Sequence, residues 1–550
     1  MRALIWMLLA WISSTQAALP SLPARRRTTS EAPWRSASPA VALLAVKLPP
    51  SPLVIVAVSS AALLRLLTLE SVQRAAYFWR KAGPVVLHYK FVQWWLKDVS
   101  SQEHRDAVYE ELHSRYAQPT YELMIELQGL YVKIGQVLSS RPDFVPSQYL
   151  PYLSKVQDAI PPWSLEQIQR ILNREGINVT DVVEPALGAA SIGQVHRANY
   201  NGRPVAVKVM HPNAQELFAH DFQVFRWLCR IALPTWKGLL DELERRMRTE
   251  FDYRNEALSL TRARSNLQQS PFVDKAYIPE AYASTQHVLV MELLEGRKLL
   301  DVWQDRLQDV LGDKADDLVA LRQQQVLGAD NEKTIQALVD SLSWSQRLRL
   351  LGLRRRCRRD VELLVDIHGR QMFIDGCFNG DPHPGNCLEL TDGRLGLIDY
   401  GQFRYLSDDE RLGLARVIVS LAEGSDDLVR AVRHAGFRLA RDGDDDTLSK
   451  FATLFFDSDI DGLRQGYATP QLYFASLMAT NPLKDIPDPA SACMRSCPCV
   501  PSALSPHCTV FIARVSFLFR GLGSAVGLDH MRTAERWMIP AKQAIGDATQ

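Results

Sequence analysis

Apolar residues recur at helical spacing in Val108–Tyr116 and again in Tyr121–Tyr131, which predicts a helical region over 71–180. From 181 the period shortens to two. Val195–Tyr200 and Arg203–Val209 are β-type runs joined by Asn201-Gly202, and Asn-Gly between two such runs is a strong hairpin signal. His287–Glu292 predicts another strand. Beyond about 300 the helical pattern returns. It is broken by a Gly/Pro-rich loop at 376–386 and by a strand-and-turn region from Gly393 to Asp399–Gly401. No short-period repeat appears. The layout is α+β: a helical extension over 70–180, a small β-rich lobe over 181–300, and a larger helical lobe over 301–545.

Composition narrows the class. At 550 residues the chain has room for two to four domains. With 47% hydrophobic and 23% charged residues it is globular, which excludes extensive disorder, a collagen-like repeat and a multi-span membrane protein. The net charge of +1 gives no global reason to expect nucleic acid as a partner. That sum hides an asymmetry. Residues 1–69 hold seven basic side chains (Arg2, Arg25, Arg26, Arg27, Arg35, Lys47, Arg65) against Glu31, or +6; the other 481 residues carry 56 basic and 61 acidic, or −5.

The basic segment reads as a leader. Arg2, the apolar run Ala3–Trp11 and Ala17-Ala18 follow the order of a signal peptide, and the Arg/Ser-rich, acid-poor stretch to Pro39 is transit-like. The combination implies a plastid, with the mitochondrion as the alternative. A second apolar run, 53–67, is shorter than a spanning helix needs and contains Arg65. It reads as a membrane-surface or buried helix, and membrane contact is expected through apolar helices around 53–95 rather than through a basic patch. The eight cysteines make no disulfide framework: four are scattered, and Cys493, Cys497, Cys499 and Cys508 crowd into a Pro/Ser-rich stretch with no standard zinc spacing. The stretch 488–508 reads as a lineage-specific loop or a translated intron.

Four segments carry candidate chemistry. In Val205-Ala-Val-Lys-Val209, a lysine inside an alternating apolar strand calls for an anionic partner. Its position after a hairpin is that of the phosphate-binding lysine of protein kinases. Upstream, the small residues Gly188, Ala189, Ala190 and Ser191 sit where kinases have a glycine-rich phosphate loop. Thr249–Ala257 reads as a helical acid cluster in which Asp252 and Glu256 share a face, and a carboxylate there can pair with Lys208. Most specific is Phe378–Asn386 followed by Arg394–Gly401. Asp381 and Asn386 have the Asp-x4-Asn spacing of a kinase catalytic loop, and Asp399-Tyr-Gly takes the place of Asp-Phe-Gly. Asn386 and Asp399 offer oxygen ligands to Mg2+, while Asp381 can orient or deprotonate a nucleophile. A further element, Leu130–Pro146, places Lys133 and Gln136 in an apolar helix.

Together these residues resemble the AarF/UbiB family of atypical kinases. Lys133-Ile-Gly-Gln136 matches its Lys-x-Gly-Gln signature, Gly188-Ala-Ala-Ser191 its Ala-rich loop, and Glu250-Phe-Asp252 its Glu-x-Asp motif. The resemblance implies a protein-kinase-like bilobal fold with the Lys-x-Gly-Gln helices across the active site. It implies ATP (or ADP) and Mg2+ as cofactors. Lys208 is expected to contact phosphates and pair with Glu256. Gly188, Ala189, Ala190, Ser191, Lys133, Gln136, Glu250 and Asp252 are expected at the nucleotide site, with Glu250 and Asp252 facing Lys133 and Gln136. Asn386 and Asp399 would hold the metal, and Asp381 would serve the catalytic loop. Two departures from the pattern are Gly188 in place of an Ala and Asn379 where many members have His; Asn379 implies altered support of the loop rather than loss of activity. The implied role is ATP hydrolysis or phosphorylation of a small or lipid-like molecule in isoprenoid-quinone or prenyl-lipid metabolism at a membrane. Membrane lipid, a prenyl-quinone and lipid-biosynthetic enzymes are the implied partners. The competing reading is a nucleotide-gated scaffold for such enzymes with little catalysis.

Overall fold

The structure, a computed structural model, describes residues 70–98, 101–139, 145–157, 163–189, 192–211, 213–233, 250–326, 331–382, 384–457 and 532–549, with scattered positions in 240–247 and 473–519. The expected leader, the apolar run 53–67, Ala190, Ser191 and the cysteine-rich stretch 488–508 lie outside the described residues. In chain order the helices used below are α1 (Glu70–Trp95), α2 (Gln102–Leu127), α3 (Leu130–Ser139), α4 (Leu165–Arg174), α5 (Ala214–Ile231), α6 (Tyr253–Gln268), α7 (Leu299–Leu311), α8 (Lys314–Val326), α9 (Glu332–Asp340), α10 (Trp344–Phe373), α11 (Asp408–Glu423), α12 (Asp445–Phe456) and α13 (Thr533–Thr549). The strands are β1 (Val179–Thr180), β2 (Gly188–Ala189), β3 (Gly193–Tyr200), β4 (Arg203–Met210), β5 (Ala276–Tyr277), β6 (Ala281–Ser284), β7 (Val288–Glu292), β8 (Gly296–Lys298), β9 (Cys377–Asn379), β10 (Cys387–Leu390), β11 (Leu395–Leu397) and β12 (Phe403–Tyr405). Among the described residues no helix is long and apolar enough to cross a membrane.

The chain divides into two compact units. The first takes 1–161, 190–192 and 213–242. The helical pattern read through Tyr121–Tyr131 is interrupted in the structure, because α2 stops at Leu127 and Gln128 and Gly129 both take positive φ before α3 begins. The break lets the Phe218 ring of α5 come within 3.2 Å of where a Cβ on Gly129 would stand. Phe78 stacks on Tyr131 at 5.3 Å between ring centroids. A buried Arg74–Asp221 ion pair ties α1 to α5. The glycine of Lys-x-Gly-Gln, Gly135, is also set by packing: a Cβ there would lie 3.1 Å from Val156 and 3.2 Å from the Met124 sulfur. That is tighter than ordinary side-chain contact.

The second unit takes 162–189, 193–212 and 243–550. These boundaries differ from those read in the sequence. α5 joins the first unit because Phe218, Asp221 and Phe222 are buried there. α4 joins the β-rich part because Ile168, Ile171 and Leu172 pack under its sheet. That sheet runs β1-β3-β4-β7-β6, with β2 paired to β3, and every pairing is antiparallel. The Asn201-Gly202 hairpin forms as expected, with Tyr200 opposite Arg203. Val205, Val207, Val209, Val288 and Val290, all fully buried, line the face over α4. The helical part follows α7, and α13 seals it against α10: the buried Trp537 indole donates to the Val365 carbonyl at 2.9 Å and lies against Gly369. The antiparallel pair β9–β12 and the β10–β11 hairpin lie in the chain between α10 and α11 and carry the loops of chemical interest; β5 and β8, from earlier in the chain, extend the hairpin into the sheet β5-β11-β10-β8.

Candidate active site

β4 delivers Lys208. Its valines point into the apolar layer, so the pleat sends Lys208 to the opposite face. There its ammonium donates to both carboxylate oxygens of Glu256 on α6, at 2.7 and 2.8 Å. It also stands over the Tyr253 ring, 5.3 Å from the centroid, and 3.9 Å from Asp399 Oδ1. Burial works against the charged amine, but Asp399 and Glu256 outweigh it and raise the Lys208 pKa. Lys208 therefore stays an ammonium; burial raises the Glu256 pKa, and the Lys208 charge opposes that rise.

Asn379, the last residue of β9, joins the two loops. Its amide donates to the Asp399 carbonyl at 2.8 Å, and its side-chain oxygen accepts from the Asp381 N–H at 2.9 Å. Asn386 donates to Asp399 Oδ2 at 3.1 Å, and the Gly401 N–H donates to Oδ1 at 2.9 Å. Gln402 reaches back to Asp381 Oδ2 at 3.2 Å, while its carbonyl accepts from the Gly380 N–H at 2.9 Å. Asp381, Asn386 and Asp399 thus belong to one hydrogen-bonded assembly, and Lys208 and Glu256 join it through Asp399.

The remaining expected residues lie on β2, on α3 and just before α6. Gly188 and Ala189 are half-buried in β2, opposite Val195 and Gln194. Glu250 is half-buried. The helical acid cluster needs correction. Asp252 lies outside the helix as the N-cap of α6, with extended backbone (φ −143°, ψ 101°), so it does not share a helical face with Glu256. Its carboxylate accepts from the Arg254 N–H at 3.1 Å and from that guanidinium at 2.7 Å, and the latter bond holds its pKa below the usual carboxylate range. A short polar side chain is what a helix start needs, and that demand ended the helix here. Lys133 and Gln136 lie on α3 in the first unit. They are half-buried among the buried Tyr131, Val132, Ile134 and Leu138.

Three residues at the site escaped the sequence reading. Gln402 directly follows Asp-Tyr-Gly, and its neighbourhood was its only signal. Tyr253 is fully buried under Lys208, and an aromatic beside an acidic pair reads as ordinary core. Gly193 is the glycine that close approach requires: a Cβ there would stand 2.5 Å from the Val209 carbonyl oxygen and would collide with the Tyr253 hydroxyl.

Asn386 and Asp399 fit a hard divalent cation by donor chemistry, since both offer oxygen and the Asp399 side chain is 40% exposed. Among the described residues no cluster of three or more His, Cys, Asp or Glu side chains could hold a metal. A cation at this pair would need oxygens from phosphate and water to complete its shell, as Mg2+ commonly has.

The lysine–glutamate pair on a five-stranded antiparallel path, followed by an Asp-x4-Asn loop and an Asp-Tyr-Gly turn, defines an atypical kinase-like fold. A family model for the ABC1 atypical kinase-like domain matches residues 155–326 and 354–432. Over those residues the chain is similar to the ABC1 atypical kinase-like domain, in line with the AarF/UbiB resemblance. An uncharacterized Synechocystis protein is 27% identical over 319 residues, covering 55% of this chain and 68% of its own length. The Arabidopsis thaliana protein named Activity of BC1 complex kinase 8, chloroplastic, is 29% identical over 359 residues, covering 61% of this chain and 40% of its own. The chain spans well under half the length of that plant relative and of another Synechocystis protein, of which it covers 39% at 30% identity. A solved Mycobacterium tuberculosis protein, in complex with erythromycin, aligns with 79% of this chain and 97% of its own, at 20% identity and a TM-score of 0.42.

Proposed function

We propose that the chain is an atypical kinase or ATPase that binds Mg-ATP and serves isoprenoid-quinone or prenyl-lipid metabolism at a plastid membrane. The carrying observation is Lys208 held charged between Glu256 and Asp399, with Asn386 beside Asp399. Glu256 orients the ammonium toward nucleotide phosphates. Asn386 and Asp399 hold Mg2+, which when bound offsets phosphate charge. Asp381, kept in place by Asn379 and Gln402, orients the attacking hydroxyl or water and receives its proton. By the family resemblance, Gly188, Ala189, Ala190 and Ser191 would contact the phosphates, and Lys133, Gln136, Glu250 and Asp252 would serve nucleotide binding. The chloroplastic names of the plant relatives support the location.

The test is ATP turnover by the full chain with lipid present. Asp399→Asn is expected to lower it by about 100-fold or more. Equal rates in the two proteins would remove the catalytic reading and leave a nucleotide-gated scaffold.

A further inference from the structure

We infer that the N-terminal half of α10 is a docking face for an anionic lipid bilayer. Residues 344–359 contain seven arginines (Arg347, Arg349, Arg354, Arg355, Arg356, Arg358, Arg359) and no acid, in a body whose net charge is about −5. At about 100° per residue, Trp344, Leu348, Leu351, Arg355 and Arg359 fall within an arc of about 80° on one face. That face is open to solvent: Trp344 is 75% exposed and Leu348 and Leu351 are 50% exposed. The opposite side is turned inward, with Cys357 buried and Leu350, Leu353 and Asp360 half-buried. Among the described residues Arg355 and Arg359 make no ion pair.

The order of residues along this face selects the occupant. A helix docked in a protein groove keeps apolar anchors along its whole buried stripe. Here the stripe is apolar for two turns and then becomes arginine. A nucleic acid would match the arginines but leave a tryptophan and two leucines in water. A bilayer surface satisfies both halves: the indole and leucines enter the headgroup–acyl boundary, and the arginines meet lipid phosphates, which their planar forks can bind bidentately.

This inference deepens the membrane part of the proposed function and rests on it, but its readout contains no nucleotide. The full chain is floated with vesicles of phosphatidylcholine carrying about 30% phosphatidylglycerol, and with pure phosphatidylcholine vesicles. The wild type is expected to prefer the anionic vesicles, and the preference should weaken with added salt. Arg355→Glu/Arg359→Glu and Leu348→Ser/Leu351→Ser are each expected to reduce anionic-vesicle binding at least tenfold. All four side chains are exposed, so melting temperature should stay within about a degree of wild type. Binding by both variants equal to wild type overturns the inference, as does a wild type with no preference for anionic lipid. A single-stranded oligonucleotide bound by the wild type and lost only in the arginine variant, with vesicle binding unchanged, would assign the face to nucleic acid instead. ATP turnover without vesicles should be unaffected in both variants, which separates failure here from failure of the catalytic reading.

Discussion

At the scale of single residues, packing sets identities that chemistry alone would leave open. Gly193 is pressed between the Val209 carbonyl and the Tyr253 hydroxyl. Gly193→Val is expected to destabilise the sheet by about 1–3 kcal/mol, read as a lower denaturant midpoint with an unchanged slope. Two buried histidines make stability depend on pH. His211, stacked on Trp163 at 5.0 Å, and His368, edge-on to Phe519, are both pushed by burial down to about 4. The unfolded chain binds more protons than the folded one between pH 4 and about 6.5. Stability should therefore rise with pH across that window and fall on acidification. Asp360, raised by burial to about 6, works in the opposite direction below pH 6 and reduces the slope. His368 Nδ1 is bonded to the Leu364 carbonyl and its Nε2 is buried without a partner among the described residues, so His368→Phe should flatten the dependence. Urea midpoints at pH 4.5, 5.5 and 6.5 check it. Lys208, Asp381, Asn386 and Asp399 were legible as residues because their spacings are fixed along the chain. Gly193 and Tyr253 were not, because what constrains them comes from residues 16 and 60 positions away respectively.

At the scale of elements, local chemistry marks the starts of helices more faithfully than periodicity marks their continuity. Ser164-x-x-Gln167, Ser343-x-x-Gln346 and Ser407-x-x-Glu410 all form reciprocal capping boxes. At α11 the Glu410 carboxylate accepts from the Ser407 N–H at 2.8 Å, and three acids occupy the first turn, where the helix dipole favours them. Ser407→Ala is expected to cost about 1 kcal/mol, visible as a fall in melting temperature of roughly 2–4 °C. Periodicity alone ran through two breaks, at Gln128-Gly129 and at Asp252. A hydrophobic period does not register a residue that turns the chain to meet another helix or to cap the next one. The hairpin at Asn201-Gly202 was legible because its signal is local. The opposed faces of α10 were not, because its alternating arginines and leucines average to a weakly amphipathic helix.

At the scale of the whole molecule, the charge sum misleads in both directions. The even balance in the sequence suggested no charged partner beyond nucleotide and metal. The structure gathers seven arginines into 16 residues of one helix. Ligand binding also belongs at this scale, since anything that binds only the folded chain stabilises all of it. Mg-ATP at about 100 times its dissociation constant should stabilise the wild type by about 2.7 kcal/mol. Asn386→Ala should remove most of that gain while leaving the unliganded melting temperature near wild type. Scanning calorimetry with and without Mg-ATP measures both, and an equal gain in the variant would count against Asn386 as a metal ligand.

Lys208 keeps its charge wherever the chain stays folded, because its pKa is raised rather than lowered. No proton can act as its switch. What remains variable is separation. At an effective dielectric of about 20, two unit charges about 4 Å apart attract by roughly 4 kcal/mol, and widening the gap to about 6 Å removes about a third of that. Asp399 is partly open to water, which weakens the attraction further. Control of this site therefore falls to whatever shifts the Asp399 turn or the first turn of α6 by an ångström or two, and acidity has no purchase on the lysine itself.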